Sequence, residues 1–167
     1  MSLRPPEVLA PRAMADASPN AESSARLSFK LLHVGVAVPD LVPAAETLKA
    51  LFGYRVVAGP FDDPIQKVKV NFLTVAQEDV AEIELIAPLT SDSPVTAMLN
   101  KGKGGAYHFC FETSDLDAAL VHAKAQGCMV VSLPAPATAF GGRRIAWIYS
   151  KTNQLFELVE AQLPATT

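Results

Sequence analysis

Two histidines and two glutamates recur at matching places in this 167-residue chain. "HVGVAVPDL" opens at His33 and "HFCFETSDL" at His108, and in each an aspartate stands seven positions on, followed by leucine. A glutamate between apolar neighbours follows each histidine by 51 and 49 residues, Glu84 in "IELI" and Glu157 in "FELV". One histidine or one glutamate in an apolar strand is an ordinary core or edge residue. The same pair written twice points to a shared site, because a buried carboxylate is costly unless it is paired or bound to metal. Two imidazoles and two carboxylates form a sound donor set for one divalent ion per chain: Zn²⁺, Ni²⁺, Co²⁺, Mn²⁺ or Fe²⁺. Such a set leaves coordination positions for substrate oxygens. His33, Glu84, His108 and Glu157 are therefore the candidate ligands. His122 has no counterpart in the repeat and reads as a surface residue.

The elements that must position these side chains repeat in the same order. "LLHVGVAV" (31–38) predicts a strand, and Asp40 predicts the N-cap of a helix whose apolar face carries Ala44, Leu48, Leu51 and Phe52. Gly53 ends that helix. "YRVVAG" is a second strand. "QKVKVNFLTV" (66–75) alternates, with Gln66, Val68, Val70 and Phe72 on one face. "AEIELIAPL" (81–89) is a fourth strand. In the second copy "AYHFCFET" is a strand, and Asp115 caps a helix with Leu116, Ala119, Leu120 and Ala123 inside. "CMVVSL", "RRIAWIYS" and "QLFELVEA" are strands. Between the copies Ser93 and Pro94 begin a short linker helix. Self-similarity at a fixed offset sets the architecture. The fold class is α+β: two βαβββ modules, 29–90 and 104–162, related by pseudo-twofold symmetry, with sheets curled around a central metal cleft. Either half alone is too small for a stable core.

Composition narrows the function. Half of the residues are apolar and 19% are charged, which is ordinary for a globular domain. The net charge of −3 supplies no basic footprint for nucleic acid and no polybasic membrane patch. No apolar run reaches the about 18 residues of a membrane-spanning helix. Cys110 and Cys128 are expected as buried free thiols in a reducing compartment. Residues 1–28 lack the apolar core of a secretory signal, and Arg4, Arg12 and Arg26 are balanced by Glu7, Asp16 and Glu22. They read as a disordered tail, and 163–167 as a short C-terminal tail. A cytoplasmic location is expected, or the mitochondrial matrix in a eukaryote.

"HVGVAVPDL", "IELIAPLTSDSPVTAML", "GGAYHFCFE", "FGGRRIAW" and "LFELVE" together resemble the vicinal oxygen chelate superfamily of glyoxalase-like metalloenzymes. Within it they are most similar to methylmalonyl-CoA epimerases. The resemblance covers about residues 30–162. It implies metal ligation by His33, Glu84, His108 and Glu157. It also implies a divalent ion that chelates two substrate oxygens, an isomerase moving an α-proton of an acyl thioester, and a homodimer. Glu157 and Glu84 would be the catalytic acid and base on the two faces of the carbon. Three positions depart from the family. Where some epimerases carry a glutamate base, this chain has Val70. Tyr107 stands where the family often has a histidine, and the loop "SKTNQ" is shorter. Gln66 is a candidate to orient substrate or water. Arg143 and Arg144 are candidates to hold a substrate carboxylate or a CoA phosphate. The same ligand set suits a glyoxalase I-type lyase acting on a hemithioacetal. A small-molecule binding (resistance) protein has no need of four ligands, and an extradiol dioxygenase has no use for Glu84.

Overall fold

The computed structural model describes residues 27–77, 80–102 and 104–162. The expected tails, 1–28 and 163–167, lie outside the described residues apart from Leu27 and Ser28.

The first half runs β1 (Phe29–Ala37), α1 (Leu41–Phe52), β2 (Arg55–Asp63), β3 (Val68–Thr74) and β4 (Glu82–Pro88). Asp40 caps α1 by accepting the amide of Val42 at 2.9 Å. Gly53, at φ +74°, takes the left-handed conformation that sends its own amide and that of Tyr54 back to the last carbonyls. Leu41 and Ala45 are buried against Leu73, Leu85 and Ala87, with Ala44 and Leu48 half-buried beside them. Leu51 and Phe52, expected on this face, are 66% and 65% exposed. The covered stripe is the i, i+4, i+7 row of Leu41, Ala45 and Leu48, and the last turn stands clear of it. Gln66 and Lys67 also depart from expectation. They form the turn between β2 and β3, where a carboxylate oxygen of Asp63 accepts the amides of Ile65 and Gln66 at 2.9 and 2.8 Å.

The linker helix α2 (Thr96–Asn100) starts later than Ser93 predicts. Val95 is its N-cap without a side-chain bond, and Ser93 contributes its carbonyl to the amide of Thr96. The second half runs β5 (Gly105–Thr113), α3 (Leu116–Ala125), β6 (Met129–Val130), β7 (Ala135–Pro136), a 3-10 turn (Thr138–Phe140), β8 (Arg144–Tyr149) and β9 (Leu155–Glu160). Asp115 caps α3, and its four expected core residues are buried. The strand expected in "CMVVSL" is cut to two residues. The amides of Val131 and Ser132 both turn to the carbonyl of Trp147, which ends the regular ladder.

The nine strands of the described residues form one curled, unclosed sheet in the order β2-β3-β4-β1-β5-β9-β8-β6, with β7 beside β8. The halves mirror one another. β1 lies parallel to β4, β5 lies parallel to β9, and β1 meets β5 antiparallel in the middle. α1 and α3 pack on one face. The other face carries Val68, Val70, Phe72 and Ile86 from one half and Cys110, Ile145 and Val159 from the other.

The β1/β5 junction holds two bulges. Leu31 pairs with Phe111 and His33 with Cys110, so Leu32 is an extra residue. Gly35 pairs with His108 and Val36 with Ala106, so Tyr107 is an extra residue. A bulge re-aims the side chains beside it. Here each one stands immediately before a histidine.

Candidate metal centre

The ladder builds two rows across the junction. Glu84, Gly35 and His108 are neighbours on β4, β1 and β5, and Glu157, Cys110 and His33 are neighbours on β9, β5 and β1. Each row thus sets a glutamate and a histidine of different halves on either side of a small residue. An aromatic closes each row beyond its glutamate, Phe72 beside Glu84 and Trp147 beside Glu157.

All four candidate ligands are buried, and their donor atoms lie within 4.8 Å of one another. The two Nε2 atoms are 2.9 Å apart. From His33 Nε2 the carboxylate oxygens of Glu84 and Glu157 are 3.1 and 3.4 Å away, and from His108 Nε2 they are 3.3 and 3.5 Å away. Donors held about 2.1 Å from a common ion are separated by about 3.0 Å at right angles and about 3.4 Å at tetrahedral angles. These residues therefore fit a single divalent ion.

Packing fixes the imidazoles. His33 meets the edge of Phe72 at 5.5 Å and stacks on Phe140 at 6.0 Å, and His108 meets Trp147 at 4.8 Å and 87°. The Nδ1 of His108 has no hydrogen-bond partner among the described residues, and ring contacts set this imidazole. Gly35 lies directly beneath it, and a Cβ there would fall 2.2 Å from His108 Cε1. A Gly35→Val protein is expected to keep its far-UV circular dichroism and lose metal affinity by roughly 10- to 100-fold, as when a ligand's support is removed. Unchanged affinity would show that Gly35 does not position the ring.

Without an ion the four groups balance one another. Burial alone would depress His33, but Glu157 and Glu84 outweigh it and raise it to about 9; the same causes raise His108. Burial alone would raise the carboxylates, but His108 and His33 hold Glu84 below its ordinary value and Glu157 down at about 2. A metal must displace the imidazole proton, so affinity is expected to climb as pH rises toward 9. The stability of the metal-free fold runs the other way. The contribution of His33 is complete below its unfolded value of 6.5 and is lost as pH rises through about 9. Competition titrations and melting curves between pH 6 and 9 check both trends, and pH-independent affinity would contradict them. Cys110 is raised by burial and then by Glu157, which keeps it a neutral thiol.

A cavity of about 230 Å³ opens on the cluster. Glu84, His108 and Glu157 line it, Val68, Val70, Ile86, Ala137, Phe140 and Ile145 make its apolar wall, and Asp63, Gln66, Tyr107 and Ser132 supply polar groups. His33 faces a second hollow of about 580 Å³ with Lys30, Glu82 and Arg143. Phe140 borders both.

A profile of the glyoxalase/bleomycin resistance protein/dioxygenase superfamily matches residues 32–147. The chain belongs to this superfamily. It is 35% identical over 123 residues to the ethylmalonyl-CoA/methylmalonyl-CoA epimerase of Cereibacter sphaeroides, covering 73% of this chain and 89% of that one. It is 35% identical over 113 residues to the mitochondrial methylmalonyl-CoA epimerase of Bos taurus, covering 67% of this chain and 62% of that one. The crystal structure of methylmalonyl-CoA epimerase from Mycobacterium tuberculosis superposes with a TM-score of 0.68 at 32% identity, over 80% of this chain and 88% of the other. The chain is an enzyme of this superfamily, and the expected α+β fold stands.

The structure brings His33, Glu84, His108 and Glu157 together and sets Gln66 in the cavity wall. It does not bring Arg143 or Arg144 to that cavity. Arg143 donates to Glu112 at 2.7 Å and to the carbonyl of Glu160, and lies 5.3 Å over the ring of Phe140. Arg144 pairs with Glu160 and with Asp117. Both guanidiniums of this superfamily member are thus engaged by its own carboxylates. Gly35, Phe140 and Trp147 escape sequence reasoning. For Trp147 a signal existed, since it occupies in the second half the place of Phe72 in the first.

Proposed function

We propose that this enzyme is a divalent-metal-dependent epimerase that moves the α-proton of an acyl thioester such as methylmalonyl-CoA. The convergence of four buried donors beside a largely apolar cavity carries the reading, and the names of the relatives support it. When bound, the ion polarises the thioester carbonyl and takes up the charge that develops as the proton leaves. The protein supplies the rest. Glu157 and Glu84 come from opposite halves and can face opposite sides of the α-carbon, one accepting the proton and the other returning it. Val68, Val70 and Ile86 exclude water and so strengthen each electrostatic contact. Val70 itself transfers no proton. Gln66 orients substrate or water from the far end.

The test is metal content together with deuterium exchange at C2 of methylmalonyl-CoA. Exchange is expected in the loaded protein and absent after chelation. Exchange without metal would overturn the mechanism. Absence of exchange together with turnover of a glutathione hemithioacetal would make the protein a glyoxalase I-type lyase instead. A homodimer belongs to this reading. Phe29, Leu31 and Phe109 on the central strands are 46%, 39% and 38% exposed, apolar area that a second copy would cover. A single-chain mass by sedimentation would count against it.

A further inference from the structure

We infer that Tyr107 contacts the substrate, its phenol donating a hydrogen bond to the carboxylate oxygen of a malonyl-type thioester that the metal leaves free; the inference rests on the epimerase reading.

The two bulges carry the argument. The residue before each ligand histidine is the unpaired one, Leu32 in the first half and Tyr107 in the second. Both turn toward the cleft. Leu32 packs in the inner cluster with Cys110, Ala137 and Ile145, whereas Tyr107 lines the cavity alongside His108, Glu84 and Glu157. At this repeated position the first half is apolar, and the second places a hydroxyl-bearing side chain in the cavity beside His108. The Tyr107 ring lies 5.6 Å from the His108 ring, nearly perpendicular to it, which places it next to the donor cluster. Its side chain is part-buried and lines the cavity, and its hydroxyl can donate a hydrogen bond.

The chemistry of the substrate supplies the acceptor. A 2-carboxyacyl thioester presents a carbonyl oxygen and two carboxylate oxygens. A divalent ion held by the four donors would take one oxygen from each group. The remaining oxygen keeps charge and would sit against apolar walls, which is costly without a donor. Gln66 is poorly placed to serve it, since it lies beyond Val68, roughly 13 Å along β3 from Phe72, the partner of Glu84. Trp147 Nε1 is buried away from the cavity surface. Tyr107 remains.

The experiment compares wild type, Tyr107→Phe and Tyr107→His, all metal-loaded, in calorimetric binding of malonyl-CoA and of acetyl-CoA, which lacks the carboxylate. A hydrogen bond to a charged oxygen predicts roughly a 10- to 100-fold loss of malonyl-CoA affinity in Tyr107→Phe, no change for acetyl-CoA, and unchanged metal content. Tyr107→His, which keeps a donor, is expected to retain most of the preference for malonyl-CoA. Unchanged malonyl-CoA binding in Tyr107→Phe would overturn this inference alone. Equal losses for both thioesters would also overturn it, since a residue that merely shapes the wall acts on both. If Tyr107→Phe loses metal or fold, Tyr107→His decides: a lost preference in a metal-loaded protein overturns the inference and a retained one supports it. Wild type that binds neither thioester would overturn both this inference and the epimerase reading.

Discussion

Replacing His33 or His108 by alanine is expected to abolish tight metal binding and to leave the sheet folded. Each imidazole supplies one of four converging donors, with carboxylate oxygens 3.1–3.5 Å away. Loss of groups that merely support a ligand costs about 10- to 100-fold in affinity, so loss of a ligand is expected to exceed 100-fold. The metal-free variants should also melt below wild type. Removing one partner of a buried charged cluster leaves Glu84 and Glu157 short of compensation, worth about 3–5 kcal/mol. Metal content after dialysis and melting curves with and without chelator measure both effects. Full metal content in either variant, or an ion found at another place, would defeat the four-ligand assignment.

Glu157→Gln is expected to keep the metal and slow α-proton exchange by about 10²–10⁴-fold, the usual contribution of a general base. The amide oxygen of glutamine can still coordinate, but the side chain no longer accepts a proton. The protein offers few substitutes on that side. Trp147 flanks Glu157 on β8, and Cys110, its neighbour on β5, is held as a neutral thiol. Glu84→Gln should cost less if water reaches the opposite face past Tyr107 and Gln66. Near-normal exchange in a metal-loaded Glu157→Gln protein would make Glu157 a ligand alone and move the base to Glu84.

Local chemistry explains what the sequence displays and what it hides. Asp40, Gly53 and Asp115 act through neighbours a few residues away, so both long helices were legible with their caps. The four candidate ligands were legible because the repeat writes each pair twice. The bulges at Leu32 and Tyr107 were not, since they arise from the register between strands 75 residues apart. The same distance effect hides the fate of Arg143 and Arg144. Their partners Glu112, Glu160 and Asp117 become neighbours only when β9 lies between β5 and β8. Alternation likewise placed Gln66 in a strand, whereas the carboxylate of Asp63 draws it into a turn.

The two rows across β1 and β5 also give the chain a means of verifying its own alignment. A slip of one residue along this junction would carry a histidine to the helix-covered face and part Glu84 from His108. A packed apolar core tolerates such errors better than a coordination shell does, because contacts between methyl groups are interchangeable and ligand directions are not. An ion seated here would reward one alignment out of many. The two halves would then be matched by a chemical key as well as by the fit of their surfaces.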